Sequence, residues 1–365
     1  MTKKSVSNAK KVIFSLFTVV MFLTVLEFGL RIFLGPLPSS VQIYSYVGNP
    51  ERWFQEVGSM VRPTYKHQAE SFPRETSGSR LAFLGGSTVH GGTPTVGLHQ
   101  EFPALVGTAM QMKALNLARP AIDSHDIRKI VEELKEYSFD GWVIYTGHND
   151  FGNTYFFKRF GNWSSRTQLG IGAFLSRFRI YHLLRSVQRP NANGVNKGIS
   201  MSNFNEEGVR MEQKKVALSL LLDNVERISW LAKSEGIPLL FVVPADSWIQ
   251  RPLGKCTKNI CLEKEHRVAM ELLKRSPEEA VKRLADICDR DSIPLRIPAF
   301  AQVALEEKLQ SLGVSYIHAH RSLPRDARGD FPQETLFFDH VHLSKRGHQE
   351  MADLITAKLR TLIKP

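Results

Sequence analysis

Three short polar clusters follow apolar runs that have the composition of buried strands. The first is residues 85–88, Gly-Gly-Ser-Thr, which lies between the run 81–84 and a segment with helical spacing. Small residues allow a serine to lie on a sharp turn with its hydroxyl exposed at the start of a helix. Backbone N–H groups at a helix start can stabilise a developing oxyanion. The cluster therefore suits a nucleophile, although Gly-Gly-Ser is also a common turn.

The other two clusters supply groups that could assist such a serine. Residues 147–150 read Gly-His-Asn-Asp and follow the run 142–145. An Asn amide can donate to an oxyanion, although an Asn-Asp turn is the simpler interpretation. Residues 339–342 read Asp-His-Val-His. An Asp three residues before a His can accept its Nδ1–H and leave Nε2 to act as a base.

A metal site is an alternative for the third cluster, because His340, His342 and His348 are close in sequence. No His-Glu-x-x-His motif and no cysteine accompanies them, and we expect His348 on the last helix. We therefore predict no metal. The simplest alternative is a loop that starts a helix, with Ser344 as its N-cap.

The elements that must position these clusters alternate between strands and helices. The predicted strands are 81–84, 114–117, 142–145, 237–243 and 314–317, and the predicted helices are 99–112, 123–137, 209–235, 262–290, 297–312 and 344–363. This alternation predicts an α/β domain of flavodoxin-like, three-layer α/β/α architecture with a mostly parallel five-stranded sheet. Sites in such sheets lie at the carboxyl ends of strands, where the first two clusters fall.

Size and composition exclude several classes of protein. The chain has 365 residues, enough for two domains or one large α/β domain. With 42% hydrophobic and 23% charged residues, it is neither disordered, collagen-like nor a multi-span membrane protein. Its three cysteines exclude a disulfide-dense scaffold and a four-cysteine zinc site. The net charge is +12, and it remains +8 without the four N-terminal lysines.

The N-terminus indicates a membrane anchor. Residues 1–11 contain four lysines and no acid, and residues 12–34 are almost wholly apolar. As a helix they would span about 34 Å, enough for a hydrocarbon core of about 30 Å. Glu27 and Arg31 interrupt the run near its end, at a spacing that allows them to pair. No Ala-x-Ala-like site follows, so we favour an uncleaved signal anchor over a cleaved signal peptide.

The lysines favour the cytoplasmic side of the membrane. We therefore expect a cytoplasmic tail at 1–11, a transmembrane segment at 12–34 and an exported remainder. Residues 35–78 show little periodicity and are predicted to be a tether and irregular lead-in to a domain at 79–365.

In their order and spacing, the three clusters resemble the sequence blocks of the SGNH hydrolase superfamily, also called GDSL esterases. The resemblance spans about residues 80–355. Ser87 stands in Gly-Gly-Ser-Thr where many members have Gly-Asp-Ser. The block Gly-x-Asn-Asp matches residues 147–150, and the block Asp-x-x-His matches Asp339 and His342. The position of the family's oxyanion glycine, after the strand-end Asn116, is taken by Ala121, which still offers a backbone N–H.

The resemblance implies ester chemistry that needs no cofactor. Ser87 would attack the carbonyl, with His342 as general base and Asp339 as its orienting group. The Ser87 N–H, the Ala121 N–H and the Asn149 amide would form the oxyanion hole. Transfer of the acyl group to water or to an acceptor hydroxyl would share this site. Further candidate substrate contacts are Gly86, His90, His148 and Asp150.

The anchor resembles that of a membrane-tethered bacterial branch, some members of which act on acyl groups of envelope polysaccharides. We therefore expect a single-pass inner-membrane protein whose catalytic domain faces the periplasm or exterior. Its substrate would be an acyl ester, mainly acetyl, of an envelope carbohydrate, and its partners the inner membrane and envelope polysaccharide machinery, with no nucleic acid. The alternatives are a lipid esterase or lysophospholipase, and a non-catalytic binding or assembly protein with an SGNH fold.

A basic segment and a cysteine pair complete the predictions. Residues 151–205 are predicted to be an insertion with eight positive charges, no acid and interleaved aromatic residues. Its candidate contacts to an anionic glycan or lipid headgroups are Lys158, Arg159 and Arg166, which would lie on a wall or lid. A helix is predicted to follow at 173–187, and this helix could instead serve only to pack on the body of the protein. Cys256 and Cys261 are predicted to form a disulfide, and Cys288 to be a buried thiol.

Overall fold

A computed structural model describes residues 8–34, 52–64, 71–75, 78–91, 96–97, 99–156, 178, 180, 208–254, 261–325 and 332–363. The chain divides into two compact units. One comprises residues 1–45 and 166–204, and the other comprises residues 46–165 and 205–365. The first contains an N-terminal apolar helix, and the second is an α/β domain.

The strands form two sheets. They are β1 (Phe54–Val57), β2 (Met60–Pro63), β3 (Phe72–Pro73), β4 (Arg80–Gly85), β5 (Lys113–Asn116), β6 (Gly141–Tyr145), β7 (Leu239–Val243) and β8 (Ser315–His318). The last five form a parallel sheet in the order β5-β4-β6-β7-β8. This is the flavodoxin-like order, so the predicted fold class is confirmed. In this sheet Gly85 pairs with Tyr145, and the carboxyl ends of β4 and β6 therefore lie side by side.

Helices connect the strands and cover both faces of this sheet. They are α1 (Asn8–Leu34), α2 (Ser87–His90), α3 (Phe102–Met110), α4 (Ser124–Leu134), α5 (His148–Phe156), α6 (Met211–Ser234), α7 (Leu262–Leu272), α8 (Pro277–Arg290), α9 (Ala299–Ser311), α10 (Ala319–Ser322) and α11 (Lys345–Leu362). Side chains cap two of these helices, one of them at Ser344 as the sequence suggests. Asp123 accepts the His125 N–H at 3.0 Å and begins α4, and Ser344 accepts the Gly347 N–H at 3.2 Å and begins α11.

Apolar side chains fill the space between the sheet and its helices. On one face Phe83, Val143 and Val242 pack with residues of α3 and α11, such as Val106 and Ile355. Side chains alternate along a strand, so the intervening buried residues face the other layer, where α4 packs against α6. Burial on both faces explains why these strands read as continuous apolar runs.

An antiparallel sheet of β1, β2 and β3 precedes the parallel sheet. Trp53, Phe54, Val61 and Phe72 are buried in it, and Phe72 makes edge-to-face contacts with Tyr137 and Phe139. The segment predicted to be an irregular lead-in thus contains three short strands, and the compact α/β unit extends to the N-terminal side of residue 79. The strands have only four, four and two residues, too few for their alternation to appear in the sequence.

The N-terminal unit contains α1. Its segment Phe14–Phe33 has a mean hydropathy of 2.0 and is the one helix among the described residues that is long and apolar enough to cross a membrane. Glu27 accepts a hydrogen bond from the Arg31 Nε–H at 2.8 Å, as predicted, and another from the Ile180 N–H at 3.1 Å. A residue of the predicted insertion thus contacts the polar end of the apolar helix.

The start of the insertion differs from its prediction. Residues 151–156 continue α5 rather than forming a loop, and Phe151 is fully buried. The remainder of the predicted wall and of the helix at 173–187 lies outside the described residues, apart from Phe178 and Ile180. Lys158, Arg159 and Arg166 are among the residues outside.

We predict that Phe72→Ala lowers the free energy of unfolding by about 3–5 kcal/mol, because it removes a fully buried aromatic ring. Urea unfolding of the detergent-solubilised protein would measure this. The matched control is Val57→Ala in the same sheet, where the side chain is exposed and the change should stay within about 0.5 kcal/mol. Equal, small effects of both variants would show that the sheet is not part of the cooperative unit.

Candidate active site

The fold brings the three polar clusters together at one edge of the parallel sheet. Ser87 begins α2 directly after β4, and Asn149 lies in the first turn of α5 after β6. Asp339 and His342 lie in a hairpin closed by an antiparallel bridge between Phe337 and Leu343. The carboxyl ends of neighbouring parallel strands thus supply one side of the site, and the hairpin supplies the other.

Ser87, His342 and Asp339 form a continuous hydrogen-bonded series. The Ser87 Oγ lies 2.7 Å from His342 Nε2, although the two residues are 255 positions apart in the chain. The His342 Nδ1 lies 2.7 Å from Asp339 Oδ2. Because an ionised carboxylate only accepts, Nδ1 carries the proton and Nε2 is free to accept from the serine hydroxyl. This is the arrangement required of a nucleophile, a base and an orienting group.

The carboxylate of Asp339 also fixes the loop on which His342 lies. Its Oδ1 accepts the N–H of Val341 at 2.9 Å and the N–H of His342 at 2.8 Å. Burial by itself raises the pKa of Asp339, but the hydrogen bonds from the His342 ring and from these two N–H groups outweigh it and lower the pKa to about 2. Asp339 is therefore ionised at any pH near neutrality.

The other histidines of this region have different partners. His340 Nε2 donates to the Arg251 carbonyl at 2.8 Å, and His348 Nδ1 accepts the Phe102 N–H at 3.1 Å. His348 lies on α11, as predicted. Within the ranges that the structure describes, no three His, Cys, Asp or Glu side chains are grouped as a metal site would require.

Gly86 is required by the position of Asn149. A Cβ atom at residue 86 would lie only 2.4 Å from Asn149 Nδ2, so any side chain there would displace the amide. The Asn149 Nδ2 donates one hydrogen to the Ile122 carbonyl at 2.7 Å, which fixes the amide beside the residue that precedes Ser87. Its second hydrogen is available for an oxyanion.

Ala121 has a left-handed backbone conformation, with φ of +65°. Glycine adopts this conformation without steric cost, which explains why a glycine is common at this position in the family that the sequence resembles. Asn153 holds the turn, because its Nδ2 donates to the Ala121 carbonyl at 3.0 Å and to Asp123 Oδ2 at 3.1 Å. Sequence analysis did not single out Asn153; its place one helical turn after Asn149 was the available signal.

The structure shows the surroundings of three residues that were predicted to contact substrate. The His148 Nδ1 accepts the Ile297 N–H at 3.1 Å, its Nε2 lies 3.2 Å from the Ala245 carbonyl, and burial lowers its pKa to about 4. Asp150 is buried and accepts the N–H and hydroxyl of Ser124. Both side chains are therefore engaged with protein groups, although His148 also lines the small cavity beside Ser87. His90 is half-buried at the end of α2 and is not part of the cavity beside Ser87.

The cavity beside Ser87 is small, at about 20 Å³. Its lining comes from both strand-end clusters and the hairpin: Gly86, Ser87, Thr88, Tyr145, Thr146, Gly147, His148, Asn149 and Val341. Tyr145 is held in place because its hydroxyl donates to the Ala245 carbonyl at 3.1 Å and accepts the Ala245 N–H at 3.2 Å. Since a water molecule needs about 10–15 Å³, the cavity has room for a methyl-sized group.

Two contacts that sequence analysis missed position the hairpin. Thr88 Oγ1 donates to the Val341 carbonyl at 3.3 Å and so joins the residue after the serine to the loop of the histidine. The Ser247 N–H donates to the His340 carbonyl at 3.0 Å. Main-chain acceptors leave no pattern in a sequence, so neither contact could be found there.

The loop that contains Ser247 is itself held by a second, buried Asp–His pair. Asp246 Oδ1 lies 3.0 Å from His320 Nδ1 and accepts from Gln302 Nε2 at 2.7 Å, while its Oδ2 accepts from Trp248 Nε1 at 3.1 Å. Burial raises the pKa of Asp246, but the hydrogen bond from His320 outweighs it, and the pKa is lowered. These groups fix the loop from which the Ser247 N–H reaches the histidine hairpin.

The cysteines agree in part with their predictions. Cys261 is disulfide-bonded, and its predicted partner, Cys256, lies outside the described residues. Cys288 is a buried free thiol, as predicted, and burial raises its pKa to about 12.

Comparisons with known proteins give weak likenesses. No family model matches the chain, and no curated protein matches it. Among solved structures, a G-D-S-L family protein from Desulfitobacterium hafniense is 10% identical, with a TM-score of 0.40, and the match covers 77% of this chain and 99% of that one. A GDSL-like lipase from Bacteroides thetaiotaomicron is 14% identical, with a TM-score of 0.38 and coverages of 78% and 89%.

The acetylxylan esterase Axe2 from Geobacillus stearothermophilus is 12% identical, with a TM-score of 0.37, and the match covers 78% of this chain and 96% of that one. With TM-scores below 0.5, these likenesses carry no argument of their own. The strand order and the Ser-His-Asp series at its carboxyl edge define an α/β protein with a serine-hydrolase type of site. The strand order and the three residues at the edge of the sheet agree with the fold and the site that the resemblance to SGNH, or GDSL, hydrolases implies.

We predict that Ala121→Gly raises the free energy of unfolding by up to about 1 kcal/mol. A left-handed conformation costs an L-residue about 1–2 kcal/mol, and the greater freedom of glycine in the unfolded chain offsets part of the gain. Ala121→Val should instead destabilise the protein, because a β-branched residue tolerates this conformation least. Urea midpoints of the two variants measure both effects, and a glycine variant less stable than the wild type would contradict the argument.

Proposed function

We propose that this protein is a membrane-anchored serine esterase that hydrolyses small acyl esters of a carbohydrate. The observation that carries the proposal is the hydrogen-bonded series from Ser87 through His342 to Asp339, with 2.7 Å at each step. A binding protein with a decayed site has no need to keep a base within reach of a serine and a carboxylate behind that base.

The geometry supports acylation of Ser87 by a substrate ester. As Ser87 Oγ attacks the carbonyl carbon, its proton passes to His342 Nε2, and the resulting imidazolium is stabilised by Asp339. The tetrahedral intermediate then collapses, and the leaving alkoxide takes the proton from Nε2. The products of this half-reaction are an acyl-serine and the free alcohol.

The oxyanion of the intermediate would be held by the Ser87 N–H, the Ala121 N–H and the second Asn149 amide hydrogen. Each such donor typically contributes about 3–4 kcal/mol to transition-state stabilisation. The contacts of Asn149 and Asn153 described above fix the last two donors before substrate arrives. This preorganisation favours ester hydrolysis over simple binding.

Water completes the reaction by attacking the acyl-serine, with His342 as general base again. An acceptor hydroxyl in place of water would make the protein an O-acyltransferase through the same residues. His342 and Asp339 are partly exposed, which would allow either nucleophile to reach the acyl-serine.

The size of the cavity supports a short acyl group. About 20 Å³ beside Ser87 suits the methyl of an acetyl group but not an alkyl chain. A lipid esterase or lysophospholipase, the second candidate, would need a long apolar channel there. We therefore favour acetyl esters, and a carbohydrate of the cell envelope as the alcohol that carries them.

The N-terminal sequence supports the location. Four lysines before the apolar segment Phe14–Phe33 favour a cytoplasmic N-terminus, so the catalytic domain would face the periplasm or exterior. A disulfide at Cys261 is consistent with an oxidising compartment. In the sequence, Lys158, Arg159 and Arg166 supply positive charge that would attract an anionic glycan or lipid headgroups.

We predict that Ser87→Ala abolishes hydrolysis of 4-nitrophenyl acetate without changing the melting temperature. Asp339→Asn should lower kcat by about 10²–10⁴-fold, because it favours the wrong histidine tautomer. His342→Ala should match Ser87→Ala, and the matched control His340→Ala should keep a measurable rate. Full activity of Ser87→Ala, or loss in His340→Ala alone, would overturn the assignment of the three residues.

A second prediction concerns topology. A reporter that is active only outside the cytoplasm should be active when fused after Pro365, because one crossing exports the C-terminus. Paired with it, a reporter active only in the cytoplasm should be silent at the same position. The opposite pattern would refute both the location and the role proposed for the N-terminal helix.

A further inference from the structure

Two Trp or Phe side chains of the α/β domain are about half exposed among the described residues. They are Trp230, at 55%, and Phe338, at 47%. Trp230 lies on α6 beneath the guanidinium of Arg227, 4.5 Å from its ring centre, as is common on solvated helices. Phe338 immediately precedes Asp339 in the histidine hairpin. The two rings have similar exposure, but only Phe338 is next to the reactive groups.

The register of the hairpin places Phe338 opposite His342. The Phe338 N–H donates to the His342 carbonyl at 2.8 Å, and the next pair inward is Phe337 with Leu343. Phe337 and Leu343 are buried, whereas Phe338 and His342 are at least partly exposed. Directly opposed residues project to the same side of an antiparallel pair, so the phenyl ring and the imidazole share the outer face.

Polar groups lie on the segments that adjoin the hairpin. The loop at residue 251 is joined to the hairpin by the hydrogen bond from His340 Nε2 to the Arg251 carbonyl, while the Arg251 guanidinium is paired with Glu263 at 3.2 Å. Next to Arg251, Gln250 donates to Glu334 at 3.3 Å, just before the hairpin. The exposed Gln250–Glu334 pair thus brings an amide and a carboxylate to a segment that adjoins the hairpin.

The proposed reaction determines which half of the ester would lie beside Phe338 and His342. His342 Nε2 must reach the leaving alkoxide to return its proton, so the alcohol lies on the imidazole side of Ser87. The acyl group lies in the small cavity on the Asn149 side. The ring that shares a face with His342 is therefore next to the alcohol.

We propose that Phe338 is the platform on which the alcohol half of the ester packs, and that this half is a sugar ring. This inference rests on the proposed esterase function. A pyranose presents a face of C–H groups and a rim of hydroxyls. The electron-rich face of an aromatic ring packs on the former, and amide or carboxylate side chains such as Gln250 and Glu334 bond to the latter. A lipid alcohol would gain little from that polar surround.

The test compares two acetyl esters that differ only in their alcohol. Acetate release is measured from methyl 6-O-acetyl-glucopyranoside and from ethyl acetate, with the full-length protein in detergent. Phe338→Ala should lower kcat/KM about tenfold for the sugar ester, chiefly through KM, and less than twofold for ethyl acetate. Phe338→Tyr should keep most of the sugar rate. The matched control Trp230→Ala should change neither rate.

Other results overturn the proposal. Equal loss on both esters would make Phe338 a support of the hairpin, and no loss on either would remove it from the site. A larger loss on an acetylated monoacylglycerol than on the sugar ester would indicate a lipid alcohol.

A binding measurement separates this inference from the proposed function. In Ser87→Ala, which does not turn over, binding of methyl 6-O-acetyl-glucopyranoside is measured by NMR with and without Phe338→Ala. Weaker binding in the double variant supports the platform, and unchanged binding refutes it. Failure of the wild type to hydrolyse any ester would refute the esterase, whatever the binding result.

Discussion

The site depends on the carboxylate of Asp339, each oxygen of which has a separate task. One oxygen accepts two main-chain N–H groups and thereby shapes the loop, and the other accepts from the His342 ring. The loop and the imidazole are fixed together because one carboxylate bonds to both. The same hydrogen bonds lower the pKa of Asp339 and keep it ionised. The base is held in a productive orientation by the folded chain alone.

The serine side is shaped by steric constraints rather than by charge. Gly86 has no side chain because the Asn149 amide occupies that space, and Ala121 is held in a left-handed turn by Asn153. The two sides are joined by the hydrogen bond from Thr88 to the Val341 carbonyl. A displacement of the serine side would therefore also displace the histidine side. This coupling keeps the hydrogen-bond donors of the site in fixed positions relative to one another.

The parts of this structure that could be predicted are those for which one hydrophobic periodicity determines the element or one fixed spacing determines the residue. The five strands of the parallel sheet are buried on both faces and separated by amphipathic helices. Their alternation with helices along the chain could therefore be predicted. The spacing of Asp339 and His342 predicted which histidine lies against Ser87, because only residue 342 matches it. The short strands before residue 79 offer too few residues for a period.

Contacts with the main chain account for the other misses. His148 and Asp150 belong to a functional block, yet their side chains serve Ile297, Ala245 and Ser124, which lie far from them in the sequence. The sequence shows that a histidine and a carboxylate follow β6, but not which way each side chain turns. The importance of Thr88 and Asn153 is hidden for the same reason.

The separation of 255 positions between Ser87 and His342 has a consequence for the newly made chain. Ser87 leaves the ribosome well before the hairpin and before helix α11, which packs on α3. Until the hairpin has been made, the serine hydroxyl has no histidine beside it. The hydrogen-bonded series therefore cannot form by local folding, and it closes only when two segments that are far apart in the chain meet.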